Sequence, residues 1–192
     1  TIFDKHHPVL ANPLVRRAMS HAVDRQALID SLWAGRTAIP KGLQHEFYGD
    51  MFLADWNVPK FDLNEARNLL KQANYKGEVI PYQLLNNYYT NQTPGAQVLV
   101  EGWRAAGLNV QIEMKENWQQ IFDTNTRRAV RDWSNSAGYN DPISSIVAQH
   151  GPQGQQQQVG EWANAEMNAL SGSLETETDM SRSEEHTSEL QS

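Results

Sequence analysis

A chain of 192 residues with 39% hydrophobic side chains has the length and apolar content for one sizeable domain or two small ones. Its formal net charge of -7 and isoelectric point near 5.3 argue against a nucleic-acid binder, because phosphate contacts need clustered Lys and Arg. Cys is absent, which excludes disulfides, thiolate zinc sites and a cysteine nucleophile, and no run approaches the roughly 18 consecutive apolar residues of a membrane span.

From Asn12-Pro13 the apolar residues Leu14, Val15, Ala18, Met19, Ala22, Val23, Leu28 and Leu32 recur mostly at spacings of three and four. That pattern predicts one amphipathic helix, capped by Asn12 and ended by Gly35. Residues 36–60, rich in Gly, Pro and aromatics, read as an irregular connection. Asp62 then caps a second helix with Ala66, Leu69, Leu70 and Ala73 on one face, ending before Asn74 and Gly77. Val79 to Leu85 reads as a strand and Asn86 to Thr93 as a polar loop. A helix from about Pro94 to Ala106 turns Val98, Leu99 and Trp103 inward and stops at Gly107. The alternation of Leu108, Val110, Ile112 and Met114 then predicts a half-buried strand.

A short helix from Trp118 to Asp123 leads to a strand near Val130 to Ser136, with Arg127, Arg128 and Arg131 as its solvated lead-in. Asp141-Pro142 opens another helix carrying Ile143, Ile146 and Val147. The glutamine-rich stretch from Gly151 to Val159 reads as a surface loop, and Glu161 to Leu170 as a short helix. Alternating strands and helices predict an α/β or α+β layered fold, with helices covering a sheet. Residues 182–192, Arg-Ser-Glu-Glu-His-Thr-Ser-Glu-Leu-Gln-Ser, match the translation of a common short-read sequencing adapter. Residues 181–192 are therefore expected to be a non-native tail, and residues 1–180 a piece of a longer protein.

Enzymatic chemistry finds little support. His6-His7-Pro8 is too closely spaced for a helical zinc pair and reads as an exposed linker; His21 and His45 have no partner in sequence. His150, just before Gly151, suits a helix C-terminus. Ser134 and Ser136 flank no nucleophile elbow, and no Gly-rich phosphate loop is present. The expectation is no enzyme, no metal and no cofactor. A hydrolase completed by residues outside this chain and a pure interaction module stay open as alternatives.

Three phrases carry a resemblance. The first is Asn12-Pro-Leu-Val-Arg-Arg-Ala-Met-Ser-His-Ala-Val-Asp-Arg-Gln-Ala-Leu28; the second is Phe61-Asp-Leu-Asn-Glu-Ala-Arg-Asn-Leu-Leu-Lys-Gln-Ala73; the third is Trp103-Arg-Ala-Ala-Gly-Leu-Asn-Val110. In this order and spacing, over about Phe3 to Leu174, the chain resembles the family 5 extracellular solute-binding proteins, which include dipeptide- and oligopeptide-binding members. The resemblance implies a partial C-terminal lobe of a two-lobed periplasmic-binding-protein fold. It further implies capture of a small solute between two lobes and delivery to ABC permease subunits in a membrane. The complete protein is then a monomer, in the periplasm or lipid-anchored outside a single-membrane cell.

A cleft for varied solutes needs aromatic walls, backbone groups and a few polar side chains. The segment Trp133, Ser134, Asn135, Ser136, Ala137, Gly138, Tyr139, Asn140 and Asp141, ahead of Pro142, is similar to the family's ligand-side turn, and Tyr88 and Tyr89 resemble a second ligand-side loop. In the peptide-binding members an Asp four positions before that Pro pairs with the peptide ammonium. Counting from Pro142 gives Gly138, and anchoring on Trp133 gives Ser136, so neither placement supplies the carboxylate. An ammonium buried without an anion is costly, which favours oligosaccharides or opine-like solutes over ordinary peptides unless Asp141 or an acid of the other lobe substitutes.

Overall fold

A computed structural model describes residues 1–86, 88–123, 125, 128–135, 137–179 and 181–182, and the backbone divides into two units. The first is Thr1–Ile39 with Pro59–Trp133; the second is Pro40–Val58 with Ser134–Ser192.

In the first unit a strand β1 (Ile2–Phe3) precedes helices α1 (Pro13–His21) and α2 (Arg25–Trp33). After α3 (Leu63–Gln72) come β2 (Val79–Leu85), α4 (Gln92–Ala106), β3 (Asn109–Lys115), α5 (Trp118–Phe122) and β4 (Val130–Arg131). Asn12 and Asp62 cap as expected, Asn12 Oδ1 accepting from Leu14 N at 2.9 Å and Asp62 Oδ1 from Asn64 N and Glu65 N. The single helix expected from Asn12 to Gly35 is two. Asp24 Oδ1 accepts from Ala27 N at 2.9 Å, so its side chain starts a new helix where the apolar spacing alone would continue the old one.

The sheet order is β1-β4-β2-β3, with β2 parallel to both β3 and β4 and β1 antiparallel to β4. Alternation along β2 buries Ile80, Tyr82 and Leu84 against a core that includes Leu10, Met19, Leu69, Val100, Trp103 and Val110. The strand expected near Val130 to Ser136 is only two residues long, and the chain leaves the sheet at Asp132. The arginine lead-in is corrected too. Arg131 is buried, its guanidinium lying 5.0 Å from the Phe122 ring centroid and 5.1 Å from that of Trp133, while Arg128 faces Asp4 at 3.5 Å. Planar guanidinium surface is weakly hydrated and stacks on rings, which makes its burial tolerable. Arg127 lies outside the described residues. His7, expected in an exposed linker, is buried, with its Nδ1 accepting from Val9 N at 3.3 Å.

Helix α4 crosses the end of α1 at backbone contact. A Cβ placed on Gly102 would stand 2.3 Å from the Ala22 carbonyl oxygen. Gly102→Ala gains about 1 kcal/mol of helix propensity but must push two helices apart, which costs about 1–3 kcal/mol. A lowered urea midpoint is the expected outcome; an unchanged or raised one would show that the helices separate freely.

The second unit has short 3-10 turns at Glu46–Met51 and Pro142–Ser144, then α6 (Ile146–His150), α7 (Gln155–Gln158) and α8 (Ala165–Thr176). Tyr48 and Ser145 share a buried hydroxyl hydrogen bond, and the Gln44 amide pairs with both the N–H and the carbonyl of Leu53. The glutamine run, expected as a surface loop, is helical. Gln156 is buried, and Gln157 Nε2 donates to His150 O at 2.8 Å and Asn168 Oδ1 at 2.7 Å. The side-chain amides thus staple α7 to its neighbours, a role that composition does not encode. Helix α8 starts later than the expected Glu161, because Asn164 caps it by accepting from Met167 N. Among the described residues no helix is long and apolar enough to cross a membrane.

Candidate functional site

Parallel pairing brings the C-terminal ends of β2, β3 and β4 to one edge of the sheet in the first unit. The chain goes from β2 to β3 on one side and then to β4 on the other, so the order reverses at β2. Ligands of open α/β sheets bind at such reversals, outside the carboxyl ends of the strands.

Each strand end delivers aromatic side chains to that edge. Tyr88 follows β2, Trp118 and Phe122 follow β3 on α5, and Trp133 follows β4. The Tyr88 ring meets Trp118 edge-on at 4.8 Å between centroids, and Trp118 meets Trp133 at 4.9 Å. Phe122 stacks on Trp118 at 5.6 Å and tilts against Trp133 at 6.0 Å. All four rings are half-buried, so they hold one another and keep some surface for contact. Rings in this arrangement bind apolar, planar or C–H-rich faces of a solute.

Behind the rings lies a buried carboxylate. Asp132 Oδ1 accepts from the Tyr82 hydroxyl at 2.5 Å, and Oδ2 accepts from the Tyr89 hydroxyl at 2.8 Å. Burial, reinforced by the Asp132 charge beside them, raises both phenols well above the ordinary tyrosine range. Both tyrosines therefore stay protonated and donate.

Of the residues expected to touch a solute, the first unit brings together Tyr88, Tyr89 and Trp133. Trp118, Phe122 and Asp132 join them without having been singled out. The available signal was positional for Trp118 and Phe122, which lie on the short helix expected after a strand, whereas Asp132 fell inside the strand expected from Val130 to Ser136.

The other candidates belong to the second unit. Asp141 Oδ1 accepts from Ile143 N at 2.9 Å and so caps the turn at Pro142. Tyr139 is 58% exposed, and its carbonyl accepts from Ser144 Oγ at 2.8 Å. Ser134, Gly138 and Asn140 are exposed, Asn135 is half-buried, and a Cβ on Gly138 would meet nothing within 4 Å. Ser136 lies outside the described residues. The same unit holds a cavity of about 290 Å³ lined by Gly42, Leu43, Trp56, Ile146, His150, Trp162 and Met167. Burial lowers the affinity of His150 for a proton, so it ends α6 as a neutral ring. Among the described residues no three His, Asp or Glu side chains are placed to hold a metal ion.

Comparison with solved structures extends the fold. The DppA periplasmic binding protein from Helicobacter pylori, in complex with the peptide STSA, superposes with a TM-score of 0.84 at 19% identity. That match covers 98% of this chain and 37% of DppA. A dipeptide-binding protein from Pseudoalteromonas sp. SM9913, in complex with Met-Leu, gives 0.82 at 21% identity, covering 98% of this chain and 38% of that one. NikA from Staphylococcus aureus, in complex with Ni(L-His)2, gives 0.82 at 16%, with 98% and 40% covered. The chain thus spans well under half the length of these structures. No curated protein matches the chain in sequence. Residues 1–157 match the family described as bacterial extracellular solute-binding proteins, family 5 Middle, and the chain belongs to that family.

Proposed function

We propose that this chain is part of the solute-capturing component of an ABC importer, contributing one lobe of a two-lobed protein that closes over a small molecule and presents it to membrane permease subunits. Residues 1–180 form part of the C-terminal lobe, and residues 181–192 are a non-native tail. The complete protein acts as a monomer, in the periplasm or anchored at the outer face of the membrane, and breaks no bond in its ligand. The observation that carries this reading is the ring of Tyr88, Trp118, Phe122 and Trp133 at the carboxyl edge of the parallel strands. Tyr89 borders that ring, and the likeness of Ser134, Asn135, Ser136, Gly138, Tyr139, Asn140 and Asp141 to the family's ligand-side turn supports them as further candidate solute contacts.

The ligand is an oligosaccharide or opine-like solute rather than an ordinary peptide. Gly138 offers no carboxylate to an ammonium group, and aromatic rings suit the C–H faces of sugars and the apolar arms of opines. A thermal-shift screen of the complete protein against dipeptides, longer peptides, oligosaccharides and opine-like compounds tests this directly. At a ligand concentration about 100 times Kd, stabilisation should reach about 2.7 kcal/mol. Stabilisation by peptides alone would reject the ligand class and keep the importer; turnover of any compound would reject the importer.

A further inference from the structure

Asp132 looks at first like the anion that Gly138 fails to provide, but its geometry gives it another task. It is 3% exposed, and both of its oxygens already accept from the protein. The Tyr82 hydroxyl occupies Oδ1 at 2.5 Å and the Tyr89 hydroxyl Oδ2 at 2.8 Å, with Thr1 Oγ1 a longer 3.3 Å from Oδ1. Tyr82 sits on the central strand β2 and is fully buried, so it holds the carboxylate as a fixed point.

Tyr89 contrasts with it. Its residue is 43% exposed in the turn between β2 and α4, yet its hydroxyl reaches across to the end of β4. Other bonds of that turn run to other partners: Asn91 Nδ2 donates to Leu32 O at 2.9 Å, and Tyr88 N donates to the Gln92 side chain at 2.8 Å. The Tyr89 hydroxyl reaches Asp132, the residue before Trp133, and the Tyr88 ring lies 6.4 Å from that of Trp133. The Tyr89 ring also packs against Tyr88 at 5.6 Å, and Tyr88 in turn meets Trp118.

We infer that Asp132 is a positioning residue: by holding the Tyr89 hydroxyl it fixes the turn so that Tyr88 stands against Trp118 and Trp133, and the aromatic wall is formed before any solute arrives. This rests on the solute-binding reading above. A wall set in advance spares the solute the cost of ordering a loop, so the latch raises affinity without touching the ligand.

The test uses Tyr89→Phe, which keeps the ring and removes the hydroxyl, and Asp132→Asn, both in the complete protein. Backbone amide exchange over Tyr88 to Asn91 is the primary readout, because it reports the turn whether or not a ligand is known. Each variant should speed exchange there by about 10-fold or more, the factor a hydrogen bond to a charged group represents. The double variant should be no faster than Asp132→Asn alone, since that change already weakens the bond that Tyr89→Phe removes. Unchanged exchange in Tyr89→Phe overturns the latch, and that variant decides alone if Asp132→Asn fails to fold. Solute affinity, read by thermal shift with whichever compound stabilises the parent, should fall together in both variants. A loss in Asp132→Asn alone would make the carboxylate a direct ligand contact and overturn the positioning role. A parent protein that no solute stabilises would count against the importer reading, while the exchange result would still stand for the latch.

Discussion

Trp103→Ala should lower the unfolding free energy by about 3–5 kcal/mol, a large share of the roughly 5–15 kcal/mol that a domain has. Trp103 is 1% exposed on α4, where three groups depend on it. Its Nε1 donates to the Met19 carbonyl at 3.0 Å, in the last turn of α1, where carbonyls outrun the helix's own donors. Its ring meets Tyr82 of β2 at 5.5 Å and Phe3 of β1 at 6.4 Å. Truncation opens a cavity between one helix and two strands and strands a carbonyl at the same time. Trp103→Phe separates the two effects, because it keeps most of the volume and loses the hydrogen bond, and should cost about 1–3 kcal/mol. Urea denaturation of the three proteins measures this. A loss under about 1 kcal/mol for the alanine variant would mean that α4 does not pack on α1 and β2 as described.

Local rules made the scaffold legible. Val79 to Leu85 is the strand that its apolar content predicts, Asp62 and Asp141 cap the turns they precede, and Gly107 ends α4 in the left-handed region at φ 105°. What stayed hidden depends on partners distant in sequence. Arg131 reads as a solvated charge until Phe122 and Trp133 cover it, and Gln156 reads as loop polarity until it is packed inside. Asp24 was misplaced within one long helix because apolar spacing is insensitive to a cap in mid-pattern. For the candidate site, Tyr88, Tyr89 and Trp133 were singled out by their likeness to the family's ligand-side segments, and the structure brings them to one edge of the sheet. Trp118 and Asp132 required the sheet order, which places three strand ends on one edge and which no local pattern contains.

Trp133→Ala, made in the complete protein, should weaken solute binding by about 30-fold or more, equivalent to about 2 kcal/mol, as expected for an aromatic anchor at the centre of a contact surface. Its effect on stability should be smaller than that of Trp103→Ala. Trp133 is half-buried, and what it gives the fold is packing against the rings of Trp118 at 4.9 Å, Phe122 at 6.0 Å and Tyr88 at 6.4 Å, and one face for the Arg131 guanidinium at 5.1 Å. The guanidinium contact is worth about 0.5–2 kcal/mol. Trp133→Phe keeps a face for both solute and guanidinium and should recover most of the affinity. The ratio of the two losses decides the role of the cluster. A residue that binds solute loses affinity out of proportion to stability, whereas a packing residue loses the two together or stability alone. Equal affinity in parent and Trp133→Ala would make Tyr88, Trp118, Phe122 and Trp133 a buttress for the strand ends and move the solute site to the second unit, where the cavity beside Trp56 and Trp162 would be the next place to substitute.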